Sequence, residues 1–264
     1  MTNINHLRIL KQSTLKWLEW RNDNQEVVPD LREADLSSIN LQGVYLVGAN
    51  LIKTNLQQAN LNGANLENAE LSNANLINTS LIEANLGGAN LIGSDLRYAN
   101  LMGANLRAAN LIGTNLRQAN FRGANLSQSQ LHRANLSEAD FTEAHLNEID
   151  LSQANLYQAE LLGAYLYKAN LYQAKLIEVH LTKAYLLAVE LSEANLDGAD
   201  LRWANLTQAT LRNTHLQGAN LRGANLSKTD LRGANLQGAN LRGAKLHQAD
   251  LTDANLKDAQ LEES

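Results

Sequence analysis

The chain of 264 residues has no cysteine, a single proline and only 5% aromatic residues. Without cysteine it can form no disulfide and offers no thiolate to a metal or to nucleophilic catalysis, a composition that suits a reducing compartment. The one proline, Pro29, leaves everything after it free of that interruption. Long apolar runs are missing too. The N-terminal stretch MTNINHLRILKQSTLKWLEW is broken by Asn3, Asn5, Arg8, Lys11 and Lys16, so it reads neither as a signal peptide nor as a membrane span. A soluble, cytoplasmic protein with no membrane association is expected.

What the sequence does contain is leucine at every fifth position from Leu31 to Leu261, with Phe121 and Phe141 as the two replacements among 47 sites. A period of five matches neither the 3.6 of a helix nor the 2 of a strand, so it points to a repeat architecture in one elongated domain. The residue two before each Leu is small, as in Ala34, Ala49, Ala59 and Ala64, and the residue just before it is usually Asn or Asp. Two inward and three outward residues in five require a chain that turns a corner in every unit, since a straight strand would alternate. Asn and Asp suit the corner because their side chains hydrogen-bond nearby backbone. Gly103, Gly123, Gly223 and Gly243, two residues after the Leu, supply the positive φ that some turns need.

Ala-Asn-Leu recurs at 49–51, 59–61, 104–106, 219–221 and many other places. This resembles the A(N/D)LXX signature of the pentapeptide-repeat family, and the match runs through 46 units from residue 34 to 261. The resemblance implies an all-β, right-handed, quadrilateral β-helix of about 11 coils, each of four units or 20 residues. Phe121 and Phe141, 20 apart, then become neighbours in one core column, where they fill space. At ~4.8 Å per coil the rod is about 55 Å long.

The first coil of such a solenoid exposes an edge that must be covered. Residues 1–30 are expected to be that cover, ahead of a solenoid at 31–264. From about Thr2 to Arg21 the sequence has helical periodicity for one helix or two short ones, with Ile4, Leu7, Leu10 and Leu15 among its apolar residues. Trp17, Leu18, Trp20 and Arg21, followed by Pro29, are similar to the Trp-containing helical leader of bacterial and cyanobacterial family members. A cap packed on the first coil is favoured over base stacking by the Trp residues. The C-terminus ends Leu261-Glu262-Glu263-Ser264, so the last coil is guarded by charge or paired with a second molecule, giving a monomer or an end-paired dimer.

Charge is uneven along the array. Residues 131–196 hold four positive and nine negative side chains, whereas the segments on either side are balanced, so the net charge of −5 lies in that zone. The column before the Leu breaks down in the same place. Between 145 and 190, seven of its ten sites are neither Asn nor Asp: His145, Glu160, Tyr165, Lys175, His180, Tyr185 and Glu190. Tyr157, Leu162, Tyr167, Tyr172, Ile177 and Leu187 lie at outward positions alongside. With 20 residues per coil, Tyr165 stacks on Tyr185, Tyr157 on Ile177 and Tyr167 on Leu187, as one contiguous acidic and aromatic patch. Such patches are enriched in protein interfaces; the alternative is drift in a tolerant turn.

Other constellations are weaker. Asp140, Glu160, His180 and Asp200 share a column, which reads as a solvated ladder in preference to a cation site. Arg202, Arg222 and Arg242 form one stripe and Arg212 with Arg232 another, but Asp200, Asp230, Asp250 and Asp253 sit among them, so nucleic-acid binding is disfavoured. Gly87-Gly88 lacks the helix and Lys of a phosphate loop. No catalytic residue, metal site or cofactor is expected. The reading is a non-catalytic scaffold that presents residues 140–193 to a protein partner. The alternative is a DNA-mimicking modulator of a type II topoisomerase, as some members of the resembled family are; such a rod should be acidic over much of its length.

Overall fold

The computed structural model describes residues 3–261. A five-residue unit has five backbone N–H groups, and the architecture follows from where each one goes. Around Leu51, the Leu51 and Lys53 amides donate to the next coil, at Glu70 O (2.7 Å) and Ser72 O (3.0 Å). The Asn55 amide donates back to Ala34 O of the previous coil (2.9 Å), and the Thr54 amide closes a turn on Leu51 O (3.1 Å). The fifth, from Ile52, is taken by the Asn50 Oδ1 (3.3 Å). The four backbone bonds repeat along the chain between the first coil and the last, and the side-chain bond repeats wherever the column holds Asn or Asp.

Parallel bridges link each Asn-column residue to the one twenty residues on, from Asp30 with Asn50 to Asn240 with Gln260. Each coil therefore has twenty residues and four turns, and encloses four faces. We number the faces by their first Leu: Leu31, Leu36, Leu41 and Leu46. Stacked rings in neighbouring coils are 4.7–5.0 Å apart, the separation of adjacent strands.

The corner lies elsewhere than the sequence pattern implied. The Asn column occupies the bridged, extended position, and the turn is made by the two residues after the Leu. Asn suits this place by accepting the turn amide with its side chain, and in several columns by donating its Nδ2 to the Asn of the preceding coil, as from Asn75 to Asn55 (3.0 Å). Positive φ is likewise not confined to some turns. Among the described residues the second residue after the Leu is left-handed in every unit, at 15 Gly and at 31 other residues such as Ala108 (φ 56) and Ala188 (φ 55). In 28 of these 31, all but Gln248, Asp253 and Asp258 of the last coil, the residue's own N–H donates to the next coil and holds it in this unfavourable conformation.

Inside, the Leu columns and the small column pack into one continuous core, with most members 0–1% exposed. Each fully buried Leu contributes roughly 1.5–3 kcal/mol. Phe121 and Phe141 stack in the third-face column with ring centroids 4.7 Å apart and planes 1° off parallel. Hydroxyls that replace Ala are satisfied by backbone, as Thr54 Oγ1 is by Leu31 O (2.9 Å).

Ahead of the coils come α1 (Ile4–Gln12) and α2 (Thr14–Asp23). They are two helices because Ser13 is extended (φ −172°) and its hydroxyl accepts the Lys16 amide, capping α2, as Asn3 caps α1. Trp17 is fully buried, and its indole N–H donates to Tyr45 O (2.8 Å). Trp20 lies against Trp17 and His6, with centroids 5.0 and 4.6 Å away. Arg21 is buried and donates to Val27 O (2.6 Å), while Pro29 is buried and its carbonyl accepts the Asn50 amide (2.8 Å). Leu18 departs from expectation: it is 44% exposed, and Ile4 and Leu15 are more so, because the helices turn only their Leu10 and Trp17 sides inward. Thr2 and Glu262–Ser264, parts of the expected cap and charged terminus, lie outside the described residues.

Two outcomes follow. Ala108→Gly and Ala188→Gly remove a left-handed Cβ and should each raise stability by about 0.5–1 kcal/mol; a lowered urea midpoint would contradict the strain argument. His6 Nδ1 accepts the Asp30 amide (3.0 Å) and so must be unprotonated in that bond. Burial, above all, lowers its pKa. The stability it contributes is thus present above the unfolded histidine value of ~6.5 and is lost as pH falls below it. Tryptophan fluorescence should report loosening of the helices below that pH in the native chain, and His6→Gln should flatten the profile.

Candidate interaction surface

Twenty-residue register assigns every consensus departure between 145 and 190 to a face. His145, Tyr165 and Tyr185 are bridged in one column of the fourth face, with Tyr167 and Leu187 beside it. Glu160 and His180 are bridged on the third face, beside Leu162. Tyr172 and Glu190 fall on the first face, and Tyr157, Lys175 and Ile177 on the second. The expected single patch is therefore a belt around all four sides, because consecutive units always step to a new face. Only the third and fourth faces, which adjoin, bring a majority of these residues within reach of one partner.

That edge has defined geometry. The Tyr165 and Tyr185 rings stack at 4.8 Å and 1°, and His145 extends the stack at 5.0 Å and 11°. Both tyrosines stay open to solvent, at 39% and 50% exposure. A shallow cleft of about 330 Å³ is lined by Glu160, Leu162, His180, Thr182, Asp200 and Arg202, and one of about 370 Å³ by Glu143, His145, Gly163, Tyr165, Lys183 and Tyr185. His180 Nδ1 and Glu160 Oε1 are hydrogen-bonded. Lys168 sits over the Tyr167 ring of this edge at 5.2 Å, and on the first face Tyr172 Oη donates to Glu193 (3.2 Å).

The departures cost turn amides their usual acceptor. Two are replaced: the Tyr167 amide donates to Asn147 Oδ1 of the preceding coil (3.2 Å), and Glu190 Oε1 accepts the Ser192 amide (2.7 Å). The other five, the amides of Asn147, Leu162, Ile177, Thr182 and Leu187, have no protein acceptor among the described residues. A surface built for backbone satisfaction alone would have kept Asn at those columns.

Charges on this edge and in the coils after it are mostly matched. Arg202 pairs with Asp200 (2.6 Å), Arg212 with Asp230 (2.5 Å), and Arg232 with Asp230 (2.7 Å). Hydrogen bonds from Arg232 and then Arg212 hold the Asp230 carboxyl far below the usual carboxylate range. Burial pushes Asp200 up, but the Arg202 hydrogen bonds outweigh it and the net shift is down. Asp140 faces Arg122 at 3.5 Å. The column from Asp140 to Asp200 is thus a paired ladder, and among the described residues no group of three or more His, Asp or Glu could hold a metal ion. Sequence reasoning missed Trp203, which is 59% exposed. Its signal was available: an indole in a column whose next two members are Gly223 and Gly243.

With the twenty-residue coil established, comparison with known proteins gives the class. The family described as Pentapeptide repeats matches in eight copies over residues 30–68, 59–97, 69–107, 99–137, 134–173, 169–208, 199–238 and 230–264. The chain belongs to the pentapeptide-repeat family, whose members form right-handed quadrilateral β-helices. It is similar to HetL, a pentapeptide repeat protein involved in heterocyst differentiation regulation from the cyanobacterium Nostoc sp. strain PCC 7120. That match has 34% identity and a TM-score of 0.50, over 92% of this chain and 95% of that one. A second match is alr5209, a pentapeptide repeat protein from Nostoc PCC 7120, at 36% identity and a TM-score of 0.29, over 33% of this chain and 84% of that one. QnrB1, a plasmid-mediated fluoroquinolone resistance protein, matches at 17% identity and a TM-score of 0.41, over 77% of this chain and 91% of that one. Curated proteins give no match. Among the described residues no helix is long and apolar enough to cross a membrane.

Tyr185→Asn exchanges a stacked ring for an acceptor to the Leu187 amide. The two effects are each worth about 1 kcal/mol, so stability should stay within about 1 kcal/mol of the native value. A loss above about 2 kcal/mol in urea unfolding would make the stack structural instead.

Proposed function

We propose that this protein is a non-catalytic interaction module whose partner-binding surface is the edge between the third and fourth faces, centred on Tyr165, Tyr185 and Glu160. The observation that carries the reading is the exposed His145–Tyr165–Tyr185 stack, placed where the fold itself prefers Asn. Rigid, half-exposed tyrosines beside a carboxylate bind proteins at small entropic cost. His180, Leu162, Tyr167 and Leu187 extend this edge, while Tyr157, Tyr172, Lys175, Ile177 and Glu190 face other directions and would serve a partner that wraps the rod. The partner is a protein with a complementary basic and apolar surface, since the 131–196 zone carries the excess of negative side chains.

Supporting parts complete the reading. Residues 1–30 act as a cap for the solenoid at 31–264, because buried Trp17 and the His6–Asp30 bond seat the helices on its first coils. About 11 coils follow from 20 residues each. A cysteine-free chain fits the cytoplasm. DNA mimicry is less well supported, because the last coils carry outward arginines, of which Arg202, Arg212 and Arg232 pair with Asp, in place of a uniform run of acids.

Replacing Tyr165, Tyr185 and Glu160 together with Asn restores the consensus column. Folding, read by circular dichroism, should be unchanged and capture of partner from a lysate of the source organism should be lost. Retained capture by a folded triple variant would remove this surface from consideration.

A further inference from the structure

In this array an Arg one residue after the core Leu or Phe usually has a polar partner, either in its own unit or in the next coil, as Arg117 has in Glu138 (2.7 Å), Arg122 in Asp140 (3.5 Å) and Arg107 in Gln128 (3.1 Å). When the column before the Leu is Asp, the pair closes locally: Asp30 with Arg32 (2.7 Å), Asp95 with Arg97 (2.8 Å), Asp200 with Arg202 (2.6 Å) and Asp230 with Arg232 (2.7 Å). Arg222 and Arg242 follow Asn220 and Asn240 instead, whose Oδ1 atoms accept only the arginine backbone amides, at 3.2 Å each. Their guanidiniums have no hydrogen-bond acceptor or ion-pair partner among the described residues. From Arg32 onward they alone stand so. Being twenty residues apart they occupy adjacent coils of the third face, ~4.8 Å from one another along the rod. Two like charges at that separation repel, and an anion between them converts repulsion into two charge-assisted hydrogen bonds.

Beside them is Trp203. Its backbone is left-handed (φ 60°), an unfavourable conformation for a bulky residue, and its indole reaches over Gly223, where an added Cβ would stand only 2.3 Å from Cε3. Only glycine at 223 leaves room for the ring. Gly243 in the following coil keeps the surface beyond it bare, so Trp203, Arg222, Gly223, Asn240, Arg242 and Gly243 line a cleft of about 340 Å³. This is the low end of the range for small-molecule sites.

We propose that this cleft binds a nucleotide, its aromatic ring against Trp203 and its phosphates between Arg222 and Arg242. The ring and the anion are the two things the cleft provides for and does not itself contain. A mononucleotide suits it better than a nucleic-acid strand, because the neighbouring arginines are already held by Asp200, Asp230 and Asp250 and offer no continuing basic track.

The test is titration of the full chain with ADP, read by quenching of Trp203 fluorescence, and repeated with adenosine, inorganic pyrophosphate and a short oligothymidylate. Saturable quenching by ADP is expected, with binding of adenosine and of pyrophosphate about tenfold or more weaker, and with affinity falling as salt rises. Arg222→Gln with Arg242→Gln should weaken ADP by more than tenfold, and Trp203→Ala should do so when binding is followed by calorimetry. Asn220→Asp with Asn240→Asp is the decisive variant. It leaves ring and arginines in place but gives each guanidinium its own carboxylate, and should abolish binding while circular dichroism stays native. Absence of saturable quenching by ADP, undiminished binding in the double Asp variant, or oligothymidylate binding tighter than ADP would each overturn the proposal.

Discussion

Everything in this molecule depends on the twenty-residue register of its backbone hydrogen bonds, and the one amide which that register leaves out is that of the residue just after the Leu. The other four amides of a unit are satisfied by the next coil, the previous coil and the turn, as around Leu51. The fifth points where no carbonyl reaches, and a short side-chain acceptor two residues earlier meets it, as Asn50 does for Ile52. Wherever the column holds Asn or Asp that amide is met within the five-residue unit, and stacking units at a twenty-residue register repeats the backbone bonds in all of them between the first coil and the last. The result is a fold whose stability is spread along a line, each coil answering mainly to its two neighbours.

The fold was therefore legible in the sequence to an unusual degree. Leu and Ala columns gave the core, the family resemblance gave four units per coil, and Phe121 and Phe141 were placed correctly as stacked core neighbours. Two features were not legible. The position of the corner was misread because Asn favours turns both when it sits in them and when it caps them from outside, and composition does not separate the two. The generality of positive φ was hidden because 31 of the left-handed residues are not glycine. Here inter-coil hydrogen bonds override local preference, so residues as unlike as Ala188, Trp203 and Lys228 share one conformation.

The candidate surface was legible in part. Its members could be picked out as breaks in a regular column, and the Tyr165–Tyr185 stack was foreseen from the twenty-residue coil. Their dispersal over four faces was not, because a window of sequence from 145 to 190 is more than two full turns of the rod. In a solenoid, nearness along the chain means a different face, and nearness in space means a multiple of twenty. Sorting by that rule separates the third and fourth faces, where Glu160, His180, Tyr165 and Tyr185 adjoin, from residues that merely share the same coils.

Regularity also makes small absences informative. Asp before the Leu and Arg after it pair within the unit, whereas an arginine that follows Asn must look elsewhere: Arg117 and Arg122 find Glu138 and Asp140 in the next coil, and Arg222 and Arg242 find no such partner among the described residues. Arg202 and Arg232 have their carboxylates, and Arg222 and Arg242 have amides in the same place. The difference between Asp and Asn leaves the fold untouched, since either side chain accepts the turn amide through Oδ1. It alters only whether the guanidinium is left with charge to spend on something outside the chain. A repeat that constrains backbone so tightly thus leaves function to choices the backbone cannot feel, and those choices are where differences between otherwise similar rods have physical meaning.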